Sequence, residues 1–235
     1  MPGLKFVSRS WRLASAALLA AVLSVTPANA KDWSRTVTVS AMKGHVLGNP
    51  AAKHRLIVWA SYTCPHCAHF DKEAMAVLKA RYLAKGHISL EMRNMLRDPL
   101  DITAGLLARC GGSGKFFGNH SLFMASQDTW MAKAQGADPS VQKSWYQGSI
   151  AERTGRIARA VGFVQMMTGR GVSPAMQKTC LASDASMEAM RAMTLDAVEK
   201  VGIRGTPSFA IDGELIEGHD WAALKPRLDA LLKGN

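Results

Sequence analysis

Two cysteines, Cys64 and Cys67, stand between an apolar run and a helical pattern, and this arrangement constrains the chain more than any other feature. The run from Arg55 to Tyr62 (RLIVWASY) is mostly apolar, which predicts a buried parallel strand. Pro65 then opens a stretch whose apolar side chains recur at helical spacing, and a helix tolerates proline at its start. The cysteines are therefore predicted to lie where a strand ends and a helix begins.

This position predicts a reactive thiol. The start of a helix has unpaired N–H groups and the positive end of the helix dipole, and both favour a thiolate over a thiol. We expect Cys64 to be the exposed sulfur, which carries the mixed disulfide, and Cys67, on the apolar face one turn later, to be the buried, resolving sulfur. His66 adds positive charge and a hydrogen-bond donor near Cys64. A disulfide that releases so stable a thiolate is easily reduced, so the pair is predicted to oxidise other dithiols.

Two other readings of the cysteine pair compete with redox chemistry. A zinc site would need two further ligands, and the chain has no second Cys-x-x-Cys. A structural disulfide across so short a loop would stabilise the fold little. Motif and context favour a redox pair. A different class of function stays open, a metal-binding protein that uses Cys64, Cys67, His66 and methionines as ligands for Cu(I) or zinc.

The rest of the chain predicts a split α/β fold. With 48% apolar and 20% charged residues, the composition is that of a globular protein and excludes wholesale disorder. A second buried strand at 88–96 would complete a right-handed βαβ unit. Residues 101–201 show helical periods and no strand, and the last helix of this stretch either stays with the others or packs on the sheet. Strands at 208–211 and 214–216 flank an Asp-Gly hairpin turn, and Pro226 should kink or divide a final helix.

Together these features resemble the DsbA-type thiol–disulfide oxidoreductases, whose α/β fold is thioredoxin-like with an inserted all-helical domain. The Cys64-Pro65-His66-Cys67 quartet is the most specific part of the resemblance, which covers residues 31–235. It implies a first thioredoxin-like part at 31–100, a helical insertion at 101–183 and a second thioredoxin-like part at 184–235. It also implies catalytic roles for the four residues of the quartet.

Thr206-Pro207 matches the cis-proline loop of the same family. Taken alone, these two residues indicate an ordinary trans proline that opens a strand. The resemblance instead implies that the loop faces the active site. Thr206 and Pro207 would then bind substrate, with the backbone of Thr206 offered to the substrate peptide.

The chain departs from the family at Val58. Many relatives have an acidic residue at this position, six residues before the first cysteine, where it can take the proton of the buried thiol. No acid nearby in the sequence obviously replaces it. Proton transfer to and from Cys67 is therefore in question, and water is the candidate carrier.

Cys110 and Cys180 both fall in the helical region. A bond between them would close a loop of 70 residues, worth about 4 kcal/mol by loop entropy. We predict a structural disulfide. A pair of buried free thiols or a second redox pair remain the alternatives.

The first thirty residues predict a signal peptide. Lys5, Arg9 and Arg12 precede an apolar run at 13–25, and Ala28-Asn29-Ala30 offers small residues where a signal peptidase reads them. The run is shorter than the roughly 18 residues that span a bilayer. We therefore expect cleavage after Ala30 and a periplasmic location, where disulfides persist.

The resemblance implies a thiol:disulfide interchange enzyme that donates the Cys64–Cys67 disulfide through a mixed-disulfide intermediate. Its partners would be reduced or unfolded exported proteins and a membrane-bound oxidase that regenerates the disulfide. It would need no metal and no organic cofactor. A reductase or isomerase of the same fold is the alternative. Such isomerases usually have a separate dimerisation domain first, whereas only residues 31–63 precede Cys64 after the expected cleavage.

The chain is basic, with a net charge of +11 that falls to +8 without residues 1–30. Lysines and arginines are spread along the sequence with no basic motif interleaved with aromatics, so we expect no nucleic-acid partner. A basic face would suit an anionic membrane surface, where the reoxidising partner would sit.

Overall fold

The computed structural model describes residues 1–3 and 31–233. The chain divides into two units, residues 1–30 and 31–235, and every element below belongs to the second. The predicted signal peptide and its cleavage after Ala30 fall outside the described residues, apart from the first three. In the part of the chain that the structure describes, no helix is both long and apolar enough to cross a membrane.

A mixed sheet forms the centre of the second unit. Within residues 31–233 its strands are β1 (Val37–Val39), β2 (His45–Gly48), β3 (His54–Ala60), β4 (Ile88–Asn94), β5 (Ser208–Ile211) and β6 (Glu214–Ile216). Their order in the sheet is β1-β2-β4-β3-β5-β6. β3 pairs with β4 in parallel, and the other pairs are antiparallel. β3 therefore lies at the centre, as its apolar sequence predicts.

Helices surround the sheet and fill the long segment between β4 and β5. The α-helices are α1 (Pro65–Val77), α2 (Pro99–Ala108), α3 (Phe116–Ala125), α4 (Gln127–Gln135), α5 (Pro139–Ser144), α6 (Ile150–Ala160), α7 (Phe163–Gly169), α8 (Pro174–Leu181), α9 (Asp184–Leu195) and α10 (Trp221–Lys233). Two of them run on as π-helical segments, α1 through Leu78–Leu83 and α9 through Asp196–Val201. Short 3₁₀ turns span Trp33–Arg35 and Ser113–Lys115.

The two faces of β3 pack against different clusters. Leu56 and Val58 are fully buried in the main core, which continues from the sheet through α1 into the helical segment. Trp59 points to the opposite face, where it packs with Ala197 and Ile203. Burial on both faces explains why the strand reads as a continuous apolar run rather than an alternating one. The carboxyl end of this rigid strand carries the cysteine motif.

The helical segment is tied both to itself and to the sheet. A disulfide joins Cys110, just after α2, to Cys180 in α8, with an S–S distance of 2.00 Å and a Cα–Cα distance of 5.7 Å. α2 contacts α3, α6 and α8, and α9 contacts β4. The last helix before the second set of strands thus packs on the sheet through β4, and it also contacts α2 of the helical segment, so it combines the two placements that its sequence allowed.

Sequence patterns located most elements correctly. The strand predicted at 88–96 is β4, and the hairpin strands at 208–211 and 214–216 are confirmed with the same bounds. The prediction that Pro226 divides the last helix is wrong, because Trp221–Lys233 is one helix. Leu224 and Leu228, on either side of the proline, are fully buried, and this packing holds the helix together despite the missing hydrogen bond.

Candidate active site

The cysteine pair lies at the junction that the sequence predicts. β3 ends at Ala60, a short turn follows, and Cys64 is the N-cap residue of α1, with extended backbone angles (φ −93°, ψ 117°). Pro65 is the first helical residue, where its missing N–H costs nothing. Cys67 is the third residue of the helix and faces the core.

Both sulfurs are free thiols, and both are buried. Cys67 is 1% exposed, as expected, but Cys64 is only 3% exposed, so the expectation of an exposed Cys64 is wrong. The physical reason is tertiary, because the loop before β5 covers the sulfur and places the Thr206 carbonyl oxygen 3.1 Å from Cys64 Sγ. Cys64 nevertheless lines a cavity of about 320 Å³, whereas Cys67 does not.

The surroundings drive the acidities of the two thiols in opposite directions. A hydrogen bond from the Cys67 thiol, helped by the Thr206 side chain and the N–H groups of Cys67 and His66, lowers the pKa of Cys64 to about 4 despite its burial. Burial, followed by the hydrogen bond and the charge of Cys64, raises the pKa of Cys67 well above its usual value. The reduced pair is therefore a thiolate at Cys64 and a thiol at Cys67 over the whole neutral range.

His66 is exposed and lines the same cavity as Cys64. Its backbone N–H stabilises the Cys64 thiolate. Among the hydrogen bonds and ion pairs of residues 31–233, none involves its imidazole. A charge effect of the imidazole on Cys64 stays a prediction.

The structure brings the Thr206-Pro207 loop to the cysteines across 142 residues of sequence. The peptide bond between the two residues is cis, contrary to what the dipeptide alone indicates. Two hydrogen bonds hold the loop, one from Ser208 Oγ to the Gly205 carbonyl at 2.9 Å and one between His219 Nδ1 and the Pro207 carbonyl at 2.7 Å.

Val58, where the resemblance implies an acid, is fully buried between Met92 and Phe209 of the neighbouring strands. A buried acid lies elsewhere, at Asp101 in the first turn of α2. Its carboxylate accepts hydrogen bonds from Ser61 Oγ at 2.6 Å and from the Tyr62 N–H at 2.7 Å. Burial raises the pKa of Asp101 to about 7.

Ser61 links this acid to the buried thiol, because its backbone N–H also hydrogen-bonds to Cys67. Sequence reasoning missed Asp101. Asp98 is the N-cap residue of α2 and Pro99 its first residue, which is a common way for a helix to begin. Only the tertiary structure places Asp101, the next acid of that turn, within hydrogen-bond distance of Ser61 and Tyr62, which precede Cys64.

Side chains of the helical segment also form hydrogen bonds with the turn between β3 and α1. Gln127 of α4 donates from Nε2 to the carbonyls of Tyr62 and Cys64, at 2.7 and 2.9 Å. Asp98 accepts a 2.6 Å hydrogen bond from Thr63 Oγ1. His120 bridges the Tyr62 hydroxyl at 3.0 Å and Asp71 at 3.1 Å. No sequence signal marked Gln127 or His120, since each acts through a partner more than 40 residues away.

The other sequence candidates do not join this site. Cys110 and Cys180 are bonded to each other in the helical segment. Among the described residues, no three His, Cys, Asp or Glu side chains are grouped so that they could hold a metal ion.

Comparisons with known proteins agree with this geometry. A family model described as thioredoxin matches residues 40–230. The crystal structure of a protein-disulfide isomerase from Novosphingobium aromaticivorans is 40% identical, with a TM-score of 0.77, and the match covers 80% of this chain and 97% of that chain. The structure of Wolbachia pipientis α-DsbA1 is 18% identical, with a TM-score of 0.63 over 83% of this chain and 94% of that one, which is a likeness of fold.

Curated relatives carry a matching name. A Rickettsia bellii protein named as a protein-disulfide oxidoreductase is 26% identical over 189 residues. The match covers 80% of this chain and 64% of that protein, and the corresponding share of the Rickettsia typhi relative is 62%. The chain thus spans about three fifths of the length of these relatives.

Proposed function

Because the chain belongs to the thioredoxin family and shares the DsbA-type fold, we propose that it is a thiol:disulfide oxidoreductase that donates the Cys64–Cys67 disulfide to reduced exported proteins. The observation that carries the proposal is the opposite shift of the two thiol pKa values. A low pKa at Cys64 makes it a good leaving group, and a high pKa at Cys67 keeps that sulfur protonated once released.

The exchange takes two steps. A substrate thiolate attacks Sγ of Cys64 in the oxidised pair, the bond between Cys64 and Cys67 breaks, and Cys67 leaves and takes up a proton. A second substrate thiolate then attacks the substrate sulfur of the mixed disulfide, and Cys64 leaves as a stable thiolate. Two electrons pass from the substrate dithiol to the enzyme pair.

The loop at Thr206 and Pro207 supports substrate binding beside this sulfur. The Thr206 carbonyl oxygen lies 3.1 Å from Cys64 Sγ, so its backbone borders any chain bonded to that sulfur. In the proposed arrangement, residues 31–100 and 184–235 form the thioredoxin-like parts, and residues 101–183 form the helical insertion. Gln127 of this insertion hydrogen-bonds to the turn that carries Cys64.

The cellular setting belongs to the same proposal. The pattern of residues 1–30 supports export to the periplasm, where the substrates are reduced or unfolded exported proteins. A membrane-bound oxidase would take the two electrons and restore the disulfide.

A disulfide isomerase is the second candidate, favoured by the name of the N. aromaticivorans relative. The two functions differ in which form of the pair works, since an oxidase needs the disulfide and an isomerase needs the thiolate.

The test compares two assays on the purified protein. We expect the oxidised protein to oxidise a dithiol peptide rapidly and the reduced protein to recover little activity from a target with scrambled disulfides. Cys64→Ser should abolish oxidation. Cys67→Ser should also fail to oxidise the dithiol peptide, because it cannot form the disulfide; given the oxidised peptide instead, its Cys64 thiolate should attack the peptide disulfide and form a mixed disulfide, with the other peptide sulfur released as a thiol. Efficient recovery of the scrambled target, with slow peptide oxidation, would replace the oxidase with the isomerase. An equilibrium potential well above roughly −200 mV in glutathione buffers is expected for the oxidase.

A further inference from the structure

The cavity that holds the Cys64 sulfur is here named the Cys64 cavity, and apart from that sulfur the charged side chains that line it are basic. It is lined by Cys64, His66, Met95, Arg97, Arg204, Gly205 and Thr206. Two arginines thus border the sulfur that bonds to the substrate, and no acidic residue is part of the lining. Arg97 follows β4 and Arg204 precedes the cis-proline loop, so two separate loops each bring one guanidinium to the same opening.

Both guanidinium groups are available to a ligand. Arg97 and Arg204 are exposed. The ion pairs among residues 31–233 include neither of them. The largest contributions to the low pKa of Cys64 come from hydrogen-bond donors at the helix start and at Thr206.

The positive charge is local to this cavity. A neighbouring cavity of about 220 Å³ beside Thr63 contains Asp98. Another, of about 470 Å³ beside Pro65, contains Asp71 and Asp128 together with Lys72. Both neighbours therefore include carboxylates, so a general excess of basic residues on the surface does not account for the pattern at Cys64.

We propose that Arg97 and Arg204 select substrate segments that carry a carboxylate next to the reacting cysteine. The inference rests on the proposed function and deepens it by naming a substrate class. When a substrate cysteine bonds to Cys64, its sequence neighbours lie within the Cys64 cavity. An arginine binds a carboxylate with two parallel hydrogen bonds, and a basic opening attracts an anionic segment before contact.

The test uses three dithiol peptides that differ only in the residues flanking the cysteines, which are Asp, Asn or Lys. Exposed ion pairs are individually weak, so two of them should raise kcat/KM for the Asp peptide over the Asn peptide about fivefold. The Lys peptide should react more slowly than the Asn peptide. Because a flanking carboxylate also changes thiol reactivity, each rate is divided by that of the same peptide with the neutral bis(2-hydroxyethyl) disulfide.

Variants and salt separate the proposal from its alternatives. The double change Arg97→Gln and Arg204→Gln should bring the Asp-to-Asn ratio close to one, whereas Lys72→Gln, which removes a cation from the neighbouring cavity, should leave the ratio unchanged. In the unmodified protein the ratio should fall as ionic strength rises, a measurement that does not depend on any variant folding.

Two outcomes would overturn the inference in different ways. Equal rates for the three peptides, or an Asp preference that survives the double change, would refute the selection and leave the oxidase function standing. Failure to oxidise any of the peptides would refute the proposed function, and the selection with it.

Discussion

The strongest quantitative consequence of the structure is that the Cys64 thiolate stabilises the reduced protein. Its pKa is about 4 in the fold against an ordinary value of 9.0. A group whose pKa is lowered by folding contributes stability that is complete above the unfolded pKa and is lost as pH falls through the folded pKa. At pH 7 the contribution is about 4 kcal/mol, and at pH 4 it is below about 0.5 kcal/mol.

Cys64→Ser removes this contribution with little change in size. The quantity compared is the free energy of unfolding of the reduced wild type minus that of the reduced variant. We expect this difference to be about 4 kcal/mol larger at pH 7 than at pH 4. Urea unfolding of both proteins at the two pH values measures the difference, in which every other titrating group cancels to first order. Alkylation and mass spectrometry confirm that Cys110–Cys180 stays bonded in both.

A parallel titration of thiolate absorbance near 240 nm should show half-ionisation of Cys64 near pH 4. If the stability difference between the two proteins is the same at pH 4 and pH 7, the thiolate does not stabilise the fold. The helix start and the low pKa would then no longer explain an oxidising role for Cys64.

Three further predictions concern the surroundings of the site. Asp101→Asn removes a group whose pKa is raised to about 7, and such a group contributes stability that is lost as pH rises from about 4 through 7. The stability advantage of the wild type over this variant should therefore be larger at pH 4 than at pH 8, by up to about 4 kcal/mol, in urea unfolding. Gln127→Ala should lower stability by about 1–3 kcal/mol, since two buried carbonyls lose the shared donor, and Gln135→Ala on the same helix serves as its control. Replacing both Cys110 and Cys180 with serine should cost about 4 kcal/mol by thermal or urea unfolding and leave Cys64 reactive, whereas loss of peptide oxidation in that variant would indicate a second redox pair.

Local patterns in the sequence were sufficient for the elements whose signal lies within a few residues. The apolar run before Cys64, the proline after it and the helical spacing beyond it determine where β3 ends and α1 begins. The hairpin after Pro207 follows from an Asp-Gly turn in the same way. The largest contribution to the low pKa of Cys64 is equally local, because the Cys67 thiol that donates to it is three residues away, and the N–H groups of His66 and Cys67 add to it. The Thr206 donor, in contrast, comes from a distant loop.

The local pattern failed where burial on both sides or packing elsewhere decides the structure. β2 carries no alternating signal because all of His45–Gly48 is buried, and α10 continues through Pro226 because its flanking leucines are packed. In both places, tertiary contacts outweigh the preference of the local sequence.

The environment of the two sulfurs was determined by contacts between distant parts of the chain. Cys64 is covered by Thr206, and the loop before it is held by Asp101 and Gln127. Arg97 and Arg204 meet at the same cavity from two different loops. Spacing and periodicity describe only neighbours within one element, whereas hydrogen bonds and charges across space depend on how the elements pack. The sequence by itself thus identified the reacting atoms, and the tertiary structure decided what covers, charges and positions them.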